Sequence, residues 1–103
     1  MSIVFLDGDF IHKDEAKISP DDRGFLLADG VYEGTPFYSG VPFGLDRHMA
    51  RLERGLAWMR IHYSLDGLED IHNRLIRAND LQDAPTSYVY LQITRGAAPR
   101  THY

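Results

Sequence analysis

Leu45, Met49, Leu52, Leu56 and Met59 recur at spacings of three and four. A helix is the regular structure that gathers all five on one face, and such a face needs a flat apolar partner. The sequence offers one between Thr86 and Arg95, where Val89, Leu91 and Ile93 alternate with Tyr88, Tyr90, Gln92 and Thr94. Period-two alternation predicts a strand with an apolar side and a polar-aromatic side. Helix stripe and strand stripe together argue that helices lie on one face of a sheet.

Other segments fill in the elements. A second helix is expected from about Asp66 to Asn79, with Leu68, Ile71, Leu75 and Asn79 on one side and Asn79-Asp80 ending it. Asp46 is the expected N-cap of the first helix. Ile3–Leu6 and Phe10–His12 read as a hairpin about Asp7-Gly8, a dipeptide suited to a type I′ turn. Phe25–Ala28 reads as a single helical turn stopped by Asp29-Gly30. Val31–Tyr38 has strand composition despite Gly34 and Pro36, the latter unable to donate a ladder bond. Ser39-Gly40 is a turn, and Gly96-Ala97-Ala98-Pro99 leaves the last strand as a loop. The expected fold class is α+β, one small domain over residues 1–103, with an antiparallel sheet and two helices packed on it.

Charge narrows the partners. The net charge is −4 and no dense Lys/Arg block occurs, which argues against nucleic acid or an anionic membrane. No run approaches the roughly 20 apolar residues of a membrane span. The first residues lack the basic flank and long apolar run of a signal peptide, so a cytoplasmic location is expected. Cysteine is absent, which removes disulfides and thiolate metal sites.

Few residues suggest chemistry by themselves. No glycine-rich phosphate loop follows a strand. The histidines are scattered, with His48 and His62 at no metal-binding spacing. Asp21, Asp22 and Asp29 read as solvated loop acids and caps. Arg47, Arg51, Arg54 and Trp58 share the helix face opposite the apolar stripe, ordinarily a solvated face, although a Trp among them suggests a cover. Arg100 and His102 follow a strand and a Gly/Pro loop. A guanidinium fork beside an imidazole suits a carboxylate, while an exposed basic tail is the plainer alternative.

Three linked motifs add a family resemblance. Asp22-Arg23-Gly24-Phe25, then Ala28-Asp29-Gly30-Val31-Tyr32-Glu33, then Phe43–Leu52 with its His48 and Arg51-Leu52, resemble the class IV aminotransferase pattern. Ile93–His102 resembles the segment that marks D-amino-acid aminotransferases within that class. The resemblance implies the smaller N-terminal domain of a fold type IV subunit, with pyridoxal 5'-phosphate held against a C-terminal domain. It implies that Arg51 binds the cofactor phosphate and that Tyr32 lies near the substrate carboxylate. Arg100 and His102 would bind that carboxylate from the neighbouring subunit of a homodimer. Gly34 would stand at the wall of the substrate pocket, where its missing side chain leaves the substrate preference open. The implied reaction moves an amino group between a D-amino acid and a 2-oxo acid.

The resemblance also implies a catalytic lysine forming the resting Schiff base, expected beyond residue 103. Lys13 and Lys17 match neither motif and read as surface charges. Two departures stand out: Gly34-Thr35-Pro36 replaces a commonly Val-rich stretch, and Ala28 replaces a usual glycine. Competing expectations are an (R)-selective amine transaminase, a branched-chain aminotransferase or an aminodeoxychorismate lyase. From outside the class comes a non-catalytic domain that dimerises or binds a small anion. An amine substrate would give the Arg100/His102 pair no carboxylate to bind, which favours the D-amino-acid type.

Overall fold

The fold was taken from a computed structural model that describes residues 2–97. Strands β1 (Ile3–Leu6) and β2 (Asp9–His12) form the expected hairpin. Asp7 and Gly8 both have positive φ, 50° and 93°, the geometry a type I′ turn demands. The short helix α1 (Arg23–Leu27) starts two residues earlier than the apolar run indicates, because the Asp22 carboxylate accepts from the Gly24 amide and caps it.

Strands β3 (Gly30–Tyr38), β4 (Val41–Pro42) and β5 (Thr86–Thr94) make an antiparallel sheet in the order β4-β3-β5. β3 and β5 pair along their whole length, from Gly30 opposite Thr94 to Tyr38 opposite Thr86. Pro36 is accommodated inside β3 for a local reason. Its carbonyl accepts from Phe43 N, so its ring nitrogen faces the side where β4 has already ended.

Helices α2 (Leu45–Met59) and α3 (Leu68–Ala78) cover one face of this sheet. Leu52, Leu56 and Leu68 are buried together and pack with Val31, Leu91 and Ile93. Phe37, Ile76 and Val89 form a second cluster at the other end of the sheet. The apolar stripe of α2 therefore meets the apolar side of β5 as expected. Asp46 is not the cap: Gly44 holds that position, and Asp46 sits in the first turn, where its charge still favours the helix dipole.

One expectation needs correcting. The strands do not form a single sheet, since β1–β2 is a separate two-stranded sheet. It is fastened by Asn79, which ends α3. The Asn79 side chain accepts from Ile3 N at 2.8 Å and donates to Ile3 O at 3.0 Å, mimicking a strand partner. No helix among the described residues is long and apolar enough to cross a membrane.

Candidate active site

Inward-pointing positions of β3 alternate Val31, Glu33, Thr35 and Phe37. Glu33 is thus a carboxylate set in core phase, and it is only 3% exposed. Burying such a charge is costly unless it is paired and hydrogen-bonded. Both needs are met from α2. Arg51 donates through Nε to one Glu33 oxygen at 2.6 Å and through Nη2 to the other at 2.7 Å. His48 Nδ1 lies 2.7 Å from Glu33 Oε1. A carboxylate can only accept, so Nδ1 carries the proton of that bond. His48 and Arg51 are three residues apart and so share one flank of the helix.

The electrostatics follow from these contacts. Arg51's hydrogen bonds hold the Glu33 carboxyl below the usual carboxylate range, against the upward push of burial, with help from His48. Arg51 is raised chiefly by its bond to Glu33, then by that residue's charge, and the Tyr32 phenol adds a smaller contribution from within electrostatic reach. Although locked on one edge, the Arg51 side chain is 65% exposed. The result is a guanidinium fixed in orientation, with no hydrogen bond from Nη1 among the described residues.

Residue type alone puts Arg51 on a solvated face opposite the stripe, while the family resemblance assigns it to the cofactor phosphate. In the structure it lies on the flank that reaches β3. Trp58 does stand out from the protein, 87% exposed. The partners Glu33 and His48 were missed as functional residues. Their signal was parity: an acid in phase with Val31 and Phe37 requires a cation, and α2 places two candidate side chains one turn apart.

Tyr32 and Gly34 lie on the other side of β3, which neither α2 nor α3 covers and which α1 meets only at the Thr94 end of β5. That face carries Tyr32, Tyr38, Tyr88 and Tyr90, all exposed. Tyr32 and Tyr90 stack with centroids 6.0 Å apart and planes at 19°. The structure thus sets Tyr32 and Gly34 on the face opposite the one from which Arg51 reaches Glu33, with the Tyr32 phenol still within electrostatic reach of the guanidinium. Arg100 and His102 lie outside the described residues. The strand that leads toward them is anchored by Arg95, whose Nε donates to Asp29 at 2.6 Å and whose Nη2 donates to the Met59 carbonyl at 2.6 Å. Lys13 and Lys17 are exposed. Among the described residues there is no cluster of three or more His, Asp or Glu able to hold a metal.

Residues 30–103 match the amino-transferase class IV family. The chain belongs to the class IV aminotransferases. Along 99% of its length it is 36% identical to a D-alanine aminotransferase of Staphylococcus haemolyticus, and it spans 36% of that relative's length. Among solved structures, the branched-chain amino acid aminotransferase of Escherichia coli superposes with a TM-score of 0.80 at 24% identity. That match covers 92% of this chain and 32% of that one. The 4-amino-4-deoxychorismate lyase of Pseudomonas aeruginosa superposes with a TM-score of 0.64 at 32% identity, covering 85% of this chain and 31% of that one. The structural likenesses support the α+β class IV fold expected from the motifs.

Proposed function

We propose that the chain is the small domain of a pyridoxal-phosphate-dependent transaminase that exchanges an amino group between a D-amino acid and a 2-oxo acid. One observation carries this choice within the class: the match to a D-alanine aminotransferase runs the length of the chain at 36% identity. The fold alone is shared with a branched-chain aminotransferase and a deoxychorismate lyase, so it does not choose among them.

The residues present fit the cofactor's phosphate. A phosphate needs a cation whose position is set before the ligand arrives, with donors left over. Arg51 meets both requirements, pinned along one edge by buried Glu33 and open along the other. When bound, the cofactor supplies an electron sink for the carbanion left by proton removal. The chain's own part is to hold that phosphate through Arg51 and to bound the substrate with Tyr32 and Gly34. Arg100 and His102 are assigned to the substrate carboxylate, reaching into the neighbouring subunit's site of a homodimer. The catalytic lysine is assigned to the C-terminal domain.

Two experiments on the full-length protein test this. Arg51→Ala is expected to weaken cofactor binding by about tenfold or more, read as loss of pyridoxal absorbance on dialysis; unchanged retention removes Arg51 from the phosphate site. The parent should prefer D-alanine to (R)-1-phenylethylamine and to L-alanine in kcat/KM. Arg100→Ala should cost D-alanine roughly 30–1,000-fold, His102→Ala less, and neither should much affect the amine. A parent that favours the amine or the L-enantiomer overturns the D-amino-acid assignment.

A further inference from the structure

Gly34 stands in the middle of β3 on the bare tyrosine face, and its φ is not positive. Backbone freedom is therefore not why a glycine is needed there. The reason is spatial. A Cβ built on Gly34 would lie 1.5 Å from the Tyr88 hydroxyl oxygen and 2.3 Å from its Cζ. In the ladder Tyr88 is opposite Pro36, not Gly34, so its ring leans two residues along the sheet, to the next pair on the same face. Tyr90, which is opposite Gly34, leans the same way and stacks on Tyr32. Diagonal neighbours on a sheet face lie within reach of aromatic rings. The gap expected at Gly34 is thus occupied from the neighbouring strand, and the rings of Tyr32, Tyr90 and Tyr88 pave the face in sequence.

We propose that Tyr88 is the specificity-determining residue of this wall. Its phenol takes the volume that residue 34 leaves, so a substrate side chain meets the ring and hydroxyl of Tyr88 rather than anything carried by β3. This rests on the assignment of the Tyr32/Gly34 face to the substrate pocket. The consequence is an aromatic wall that admits the methyl of D-alanine and crowds a benzyl group.

The test uses the full-length protein with Tyr88→Ala, the milder Tyr88→Leu, Gly34→Ala and the Gly34→Ala/Tyr88→Ala double variant. The ratio of kcat/KM for D-phenylalanine to that for D-alanine should rise about tenfold or more in Tyr88→Ala, and in the same direction in Tyr88→Leu. Thermal melting gives a second readout. Gly34→Ala should lower Tm in the parent and much less where residue 88 is alanine, since the clash is then gone. A parent that turns over neither amino acid overturns the functional assignment beneath the inference. A parent active on D-alanine whose ratio stays put in both Tyr88 variants overturns the role of Tyr88 alone. Equal Tm losses from Gly34→Ala with and without the ring overturn its seat over Gly34.

Discussion

The two faces of the β3–β5 pair obey the same alternation and reach opposite ends. One face is sealed by α2 and α3, with Phe37, Leu52 and Leu56 packed from the two sides and one acid neutralised by Arg51. The other is paved with tyrosines that remain exposed. Aliphatic side chains suit a face that is closed within one domain. Tyrosine brings a large apolar body with a polar tip, which suits a face that must meet something partly wet. The parity of a strand tells which residues share a face; the kind of side chain tells whether that face is finished.

The comparison can be broken at its strongest point. Phe37→Ala on the sealed face should cost about 3–5 kcal/mol in denaturant unfolding, because Phe37 is fully buried. A loss no greater than that of Tyr38→Ala on the open face would show the two faces to be energetically alike.

Glu33→Gln should cost about 2 kcal/mol, softened because water already reaches Arg51. The pH dependence sharpens the point. Glu33 titrates lower folded than unfolded, so its stabilisation is present at neutral pH and is lost as acid carries the medium down through the depressed value. The Glu33→Gln variant should lack that part of the acid limb. Parallel stability–pH curves for parent and variant would contradict the assignment.

Thr35 has no exposure, and its hydroxyl finds no hydrogen-bond partner among the described residues. Thr35→Val should therefore stabilise by about 1 kcal/mol, read as a raised Tm; destabilisation would mean the hydroxyl is satisfied by a buried water. The smallest effect is expected on the open face, where Tyr38→Ala should change stability by only about 0.5–1 kcal/mol, mostly its edge contact with Phe43.

Much of this was legible in the sequence. The stripe from Leu45 to Met59 and the alternation of β5 were both recovered, because each periodicity is satisfied within one helix-on-sheet layer, α2 lying chiefly on β3 and Leu91 and Ile93 joining the same cluster. The Asp7-Gly8 turn was recovered because two positive φ angles leave few residue choices. Sheet membership was not, since pairing of β1–β2 with or apart from β3 depends on contacts such as Asn79 to Ile3, 76 residues distant. The Glu33–Arg51 lock was hidden for a related reason. Strand parity exposes the buried acid, but the helix rotation that delivers its cation is a tertiary fact. Gly34 was legible as a departure; the ring that fills it depends on the register of β5.

Arg95 gives the molecule a mechanical property. Its backbone amide donates to the Asp29 carbonyl at 3.0 Å while its side chain grips Asp29 and the Met59 carbonyl at the C-terminal end of α2. Tension on the backbone just past β5 is therefore delivered to the last turn of a fifteen-residue helix. A helix transmits such a pull as a nearly rigid rod, so Arg51, more than two turns upstream, would travel with the strand exit rather than independently of it. Strand end and Arg51 then behave as two points on one lever, with Arg95 as the pin.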